Sequence, residues 1–554
     1  MQILKTALSC FLIFVLAVRG MAQGNDIQFK RADTLRGSDG PGRAFWDVLH
    51  YDITVNPDFE SRTLYGRNDI RMQLNAFGKL QLDLQEPMQL DSALINTTAI
   101  PYTRDGNVYW LEIKKALPPD ISFPDTINIR VYFHGKPRVA VRPPWDGGWV
   151  WTRDSLQRPW MSVACQGLGA SVWYPCKDYQ GDKPDAGATL RIVCPDSLVA
   201  VGNGRLLSVA DTLSKKKVYT WNVVNPINTY CIVPYIGKYV HWGDMYPGLN
   251  GPLSLDYWVL EQDLQKAKRQ FSQAALMMKA FEYWFGPYPF YEDGYKLVQS
   301  SYLGMEHQSD IAYGNHFQNG YLGRDLSGTG WGLKWDFIIV HESGHEWFGN
   351  NITSIDIADM WVHEGFTNYS EALYTEFYYG KQAGEEYIRG IRQNIQNDIP
   401  ITGKYGVNNE GSGDMYYKAS NMIHLIRQLI HDDGRFRMML TEMNRRFRHS
   451  VVTATEIEGF MQEFTGLPLQ PIFNQYLHTT RIPVLEYRVR KNRIQYRFAE
   501  TVEGFRLNLP VTLNGRNMKL LVTNKWRSAK MGNTQNLKPE IDPNYLIISK
   551  RIND

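Results

Sequence analysis

Cysteine and histidine are scarce in this chain, at 5 and 12 of 554 residues. A small cysteine-stapled scaffold is thereby excluded, because a chain of this length buries cores of its own. No cysteine pair has the spacing of a metal-binding motif. Charge of one sign is lacking too. Sixty basic residues face 57 acidic ones, and removing Lys5 and Arg19 with a leader leaves 58 against 57. That surplus is too small for a polyanion-binding surface, and no basic stripe makes up for it. Long apolar runs are missing beyond Leu8 to Val18, which has eleven residues, whereas a membrane span needs about 20. With Lys5 before it and Gly20-Met21-Ala22 after it, this stretch reads as a secretory signal over residues 1–22. Export to a periplasm or the outside is the expectation. Such a compartment permits disulfides among Cys165, Cys176, Cys194 and Cys231, in three full pairings that sequence does not separate. Buried thiols are the equal alternative.

Against that scarcity of histidine, the run Val340-His341-Glu342-Ser343-Gly344-His345-Glu346 is informative. Residues four apart on a helix lie one turn above each other, so His341 and His345 can offer two imidazoles to one ion. Glu342 lies beside that pair, where its carboxylate can take a proton from a water attacking a carbonyl. A catalytic zinc commonly has a third protein ligand and one open position. Glu364, nineteen residues beyond His345, is the candidate. It begins a helical pattern through Phe366, Tyr369, Ala372, Leu373 and Phe377 that should end at Gly380.

The flanks Trp347-Phe348-Gly349-Asn350, Glu364-Gly365-Phe366 and Tyr369-Ser370-Glu371 resemble the extended pattern of the gluzincin-type zinc aminopeptidases, the family of alanyl aminopeptidase and leukotriene hydrolase. The resemblance implies one Zn2+ per chain and peptide substrates with a free N-terminus. The family's G-x-M-E-N segment is matched by Gly304-Met305-Glu306-His307. Glu306 is therefore implied to hold the substrate α-amine, with Gly304 and Met305 lining the cleft, while His307 replaces the usual Asn. The family's Gln before a Pro-Cys-x-Asp turn is matched by Gln166 before Pro175-Cys176-Lys177-Asp178. Its Y-E-K-G segment is matched by Tyr416-Tyr417-Lys418-Ala419. Alignment on Lys418 gives the oxyanion role to Tyr416, with Tyr417 the adjacent alternative. Larger relatives add a helical domain after the last β domain, and a short member without it is expected here. Asn408 falls near the position where the leukotriene hydrolase branch needs an acid, so general aminopeptidase action is expected rather than epoxide chemistry.

Composition, 43% hydrophobic and 21% charged, is that of globular domains. Period-two patterns at Tyr51, Ile53 and Val55, at Ile70, Met72 and Leu74, and at Ile127, Ile129, Val131 and Phe133 predict an antiparallel β domain over residues 23–251. A helical stripe through Leu264, Ala267, Phe271, Ala274, Met278 and Phe281 opens a mainly helical, thermolysin-like catalytic domain over residues 252–482. Thr455 and Glu458 read as a capping box for a helix through Phe460 and Phe464. Alternation returns after Pro483, and the Asn514-Gly515 turn completes a small sandwich-like β domain over residues 483–554. The whole is an α+β multidomain chain. The expected function is a zinc aminopeptidase. The alternatives are a zinc endopeptidase without amine recognition and a silent peptide binder on the same scaffold.

Overall fold

A computed structural model describes residues 28–490, 493–513, 515–530 and 538–553. The expected leader and Asn514 lie outside the described residues. The alternating segments near the N-terminus form one eight-stranded sheet in the order Arg205–Asp211, Lys216–Val223, Ala188–Pro195, Trp46–Asp58, Thr63–Leu74, Asp125–Gly135, Gln89–Ile95 and Thr98–Ala99. Pairing is antiparallel except between Trp46–Asp58 and Ala188–Pro195, where Ile53 lies opposite Leu190 in a parallel register. Tyr51, Ile53 and Val55 turn inward, as their spacing requires, and join Trp149, Trp173 and Tyr174 in one apolar core.

A five-stranded sheet follows, in the order Tyr239–Gly248, Gly251–Leu260, Tyr295–Gln299, Ile311–Tyr313 and Gly304–Met305. The expected division at 251/252 falls at the turn of its first hairpin. Gly304–Met305, the short edge strand, is what carries Glu306 to the cleft. The single helical stripe expected from Leu264 to Phe281 is two helices, Leu264–Gln270 and Gln273–Phe285, interrupted at Phe271 and Ser272. The capping box also differs from expectation. Thr453 caps Ala454–Thr465, accepting from the Glu456 backbone while Glu456 reaches back to Thr453. Glu458 instead accepts from Gln470 on the following helix. Both Thr-x-x-Glu pairs satisfy the same pattern, and the earlier one wins because Val452 is still paired as a strand residue, leaving Thr453 in extended backbone.

The C-terminal strands form a four-stranded and a three-stranded sheet. Leu485, Tyr487, Leu509 and Val511 share one continuous core with Phe473 and Tyr476 of the helical region. No described helix is long and apolar enough to cross a membrane. All four described cysteines are free and buried, so the thiol alternative is the one observed.

Between the N-terminal sheet and the site lies a buried ionic knot. Arg43 pairs with Asp83 at 2.5 Å and donates to the Asp178 carbonyl at 3.1 Å and to the Ser38 carbonyl at 2.8 Å. Asp178 in turn accepts from the backbone N–H groups of Ala170 and Ser171 at 3.2 Å each. Removing one partner of a buried pair leaves an uncompensated charge at a cost of about 3–5 kcal/mol. Arg43→Met is therefore expected to lower stability by about that amount, read as a reduced urea midpoint. A midpoint unchanged from wild type would show that the knot adds nothing.

Candidate metal and catalytic site

The first site helix, Phe337–Gly344, is short and starts at Asp336, whose side chain accepts from the backbone of Ile338 and Ile339. Asp336 also accepts from Tyr313 and Gln270, which ties the helix start to the sheet below it. His345 is the C-cap residue and keeps right-handed helical geometry, so the one-turn relation to His341 survives the helix end. The second site helix, Trp361–Tyr379, ends at Gly380 as its pattern predicts. It crosses the first closely enough that a Cβ on Gly344 would lie 2.7 Å from Ser370 Oγ. Glu364 is thereby brought over the two imidazoles.

The result is a convergent trio. His341 Nε2 lies 3.6 Å and His345 Nε2 3.3 Å from Glu364 Oε2. Ligand atoms of all three fall within 4.8 Å of one another. Glu364 Oε2 is buried with no hydrogen-bond partner, an arrangement that costs free energy unless something else satisfies it. Each imidazole is fixed from behind. His341 Nδ1 meets Glu371 Oε1 at 2.7 Å, and His345 Nδ1 meets the Phe348 carbonyl at 3.0 Å. With both Nδ1 atoms engaged by acceptors, the two Nε2 atoms face Glu364 and are the ring nitrogens placed to serve as metal ligands. The donor set, two nitrogens and one oxygen, fits zinc with a position left open. His341, His345 and Glu364 are the residues that would hold it.

Glu342 lies in the same cleft, and burial pushes its carboxyl up to about 7 against the opposing pull of His341 and His345. Glu306, Glu342 and His345 form a second trio within 4.8 Å. Glu306 accepts from Tyr230 at 2.9 Å and from Gln166, so residues of the N-terminal β region meet the segment that precedes the site helices. Burial raises the Glu306 carboxyl, and His345 works the other way. His307 is not part of the cleft lining. Its ring is buried behind the wall, with Nδ1 2.5 Å from Tyr235 Oη. Tyr416 stacks on His341 with ring centroids 6.0 Å apart. Burial and the facing Glu364 raise its phenol well above the ordinary value. Tyr417 also lines the cleft, one ring further from the trio.

Several participants escaped the sequence reading. Glu371 anchors His341 and is itself held by Tyr387 at 2.6 Å and Asn368 at 2.8 Å. Its signal was present, since it follows Glu364 by two helical turns and so shares its face. Tyr230 and Asp336 gave no comparable signal. Gly304 has a steric role, since a Cβ there would lie 2.6 Å from Glu342 Oε1 and 2.9 Å from the Ile338 side chain. The cleft holds about 340 Å³ and is lined by loop residues of the N-terminal β region, the Gly304–Glu306 segment and both site helices.

A peptidase family M1 domain matches residues 274–476. The chain is 20% identical over 516 residues to probable aminopeptidase 2 of Sulfurisphaera tokodaii, covering 89% of this chain and 62% of that protein. It is 23% identical over 446 residues to leukotriene A-4 hydrolase of Xenopus laevis, covering 76% of this chain and 68% of the relative. Among solved structures, the M1 zinc metallopeptidase of Deinococcus radiodurans superposes with a TM-score of 0.67 at 19% identity, over 80% of this chain and 96% of the other. The chain thus spans less than two thirds of the length of the Sulfurisphaera relative, and the bacterial structure shares its fold.

Two outcomes follow from the geometry. Glu371→Gln is expected to weaken zinc binding about 10- to 100-fold, as loss of such a supporting partner commonly does, measured by competition with a chromophoric chelator. Equal affinity would remove Glu371 from the site. Gly304→Ala is expected to displace Glu342 and lower turnover about 100-fold with zinc affinity retained. Full activity would show that the wall yields without moving the carboxylate.

Proposed function

We propose, for a chain in which a peptidase family M1 domain matches residues 274–476, that it is a zinc aminopeptidase removing single residues from the free N-termini of peptides. The observation that carries the reading is the closeness of Glu306 to Glu342 and His345, all three within 4.8 Å. A carboxylate so near the reacting centre leaves room for one residue between the bound amine and the scissile bond. Zinc held by His341, His345 and Glu364 supplies Lewis acidity toward a water and toward the scissile carbonyl.

The chain's own residues do the rest. Glu306 forms a charge-assisted contact with the substrate ammonium, and Gln166 and Tyr230 hold the Glu306 carboxylate in place from the N-terminal domain. Glu342 accepts the proton of the attacking water and delivers it to the departing amine. A carboxyl held near 7 by burial is suited to both transfers. Tyr416 donates its phenol proton toward the oxygen on which charge develops, from a position beside His341. The leader-like residues 1–22 support export, placing the substrates in a periplasm or outside the cell.

The test uses zinc-loaded protein, one peptide with a free N-terminus and its N-acetylated twin, followed by mass spectrometry. Loss of one residue from the free peptide alone is the expected result. Glu306→Gln is expected to lower kcat/KM about 100-fold or more, because the ammonium then meets no charge in a confined site. Internal cleavage of both peptides would replace the reading with an endopeptidase, and binding without turnover would replace it with a silent binder.

A further inference from the structure

Nine of the sixteen tryptophans are buried, and Trp145 is the most exposed of them all. Trp46, Trp149, Trp173, Trp335, Trp347 and Trp361 are fully buried, yet Trp145 is 61% exposed. It is not exposed on a free surface. Together with Pro144 it lines the same cleft as Glu306, Glu342 and His345. Its loop is held on both sides. Asp146 exchanges backbone hydrogen bonds with Arg142 at 2.9 and 3.0 Å and forms an ion pair with Arg138. Gly147 lies so close to the neighbouring strand that a Cβ would fall 1.9 Å from the Ala164 carbonyl. The indole is therefore presented by a braced loop.

Its place relative to the amine anchor is set by strand pairing. Gly148 pairs with Ala164 at the open end of the hairpin formed by Gly148–Arg153 and Pro159–Ala164. Trp145 lies three residues before Gly148, and Gln166 two residues after Ala164. Trp145 and Gln166 thus leave the same end of one hairpin, and both reach the cleft. Once an ammonium is fixed at Glu306, the first side chain starts one bond from the adjacent Cα, beside that hairpin end. Leu303 and Met305, which flank Gly304, add apolar surface nearby. The lining contains no Lys or Arg, and Glu410 is its one carboxylate outside the set already assigned.

We infer that Trp145 is a specificity-determining residue: its indole face receives the side chain of the substrate's first residue, and the preferred substrates are peptides beginning with an aromatic or large aliphatic residue. This inference rests on the aminopeptidase reading. An exposed indole offers a large rigid apolar face at little conformational cost, and an aromatic partner gains further from offset or edge contact. Alanine reaches too short a distance to use that face, and an acidic first residue meets the Glu410 carboxyl group.

The experiment compares kcat/KM for a peptide series differing only in a first residue of Phe, Leu, Ala or Arg, with zinc-loaded wild type, Trp145→Ala, Trp145→Phe and Glu410→Gln. Wild type is expected to favour Phe over Ala by about tenfold or more, in line with what a single apolar contact discriminates. Trp145→Ala should bring the Phe-to-Ala ratio down by about tenfold, while Trp145→Phe restores most of it. A ratio unaffected by Trp145→Ala overturns the inference, as does a preference for Arg that disappears in Glu410→Gln. If no peptide of the series loses its first residue, the aminopeptidase reading fails and the inference with it. Release of first residues without a Trp145-dependent ratio sinks the inference alone.

Discussion

One buried oxygen organises this molecule. Glu364 Oε2 sits between two imidazole nitrogens, out of water and without a hydrogen-bond donor. Left alone, that arrangement is unfavourable, since a buried charge must be paired. Burial works to protonate Glu364, and the facing His345 and His341 overcome it and hold the carboxyl below the usual carboxylate range. The surrounding structure keeps the three groups from relaxing apart. Glu371 and the Phe348 carbonyl occupy the far nitrogens of the rings, and Asp336 fixes the start of the helix that carries them. The close helix crossing at Gly344 and Ser370 sets the distance. Two imidazole nitrogens and one carboxylate oxygen converging in this way form a donor set that fits a cation.

The chemistry and the substrate geometry come from different parts of the chain. Metal ligands, Glu342 and Tyr416 belong to the helical region, where packing against Phe281, Trp347 and Tyr374 gives rigid support. Gln166, Tyr230 and Trp145 come from the N-terminal β domain. The two halves are joined at Glu306, whose carboxylate belongs to one and whose hydrogen-bond partners belong to the other. Lys183 adds a second tie, donating to the Asn350 carbonyl at 2.6 Å, close beyond the His345 turn. Burial without a facing carboxylate draws its ammonium down to about 7. The Arg43, Asp83 and Asp178 knot bears on the same junction, because Asp178 accepts from the backbone of Ala170 and Ser171 in the loop that follows Gln166. Gly169 in that loop has φ +87°, and a Cβ there would lie 2.0 Å from Asp178 Oδ2.

Much of this was legible in the sequence, and the exceptions have physical causes. Period-two alternation located the long strands because one face of each is buried. The His pair was legible because helical spacing converts residue number directly into direction, whereas Glu364 lies on a separate helix and was reached through the need for a third donor and the family flanks. The stripe from Leu264 to Phe281 concealed a break, since a change of helix axis at Phe271 leaves the apolar spacing almost intact. The capping box was misplaced by two residues because Thr453-x-x-Glu456 and Thr455-x-x-Glu458 satisfy one pattern, and only the end of a paired strand at Val452 separates them. Tyr230 and Trp145 were invisible for a different reason. Their places come from contacts across long sequence separations, Tyr230 in a short helical turn bonded to Glu306 and Trp145 in the loop before Gly148, and nothing in their neighbours distinguishes them from core aromatics.

That difference separates what the fold can vary from what it cannot. Residues whose roles follow from helical spacing are constrained by one another. Moving Glu364 by one position would turn it about 100° around its helix and away from the imidazoles. Trp145 is under no such constraint, for its loop is braced by its own Asp146 and Arg142 contacts and by Gly147 against the strand. The loop can change its presented side chain while the hairpin beneath it, and so Gln166, stays in register. On the proposed reading, chemistry sits on the helices and selectivity on a braced loop of the opposite wall, so the first residue accepted could change without disturbing the proton transfers at Glu342. The limit is Glu306, which both walls share: any loop change that shifts Gln166 also loosens the carboxylate proposed to hold the substrate amine.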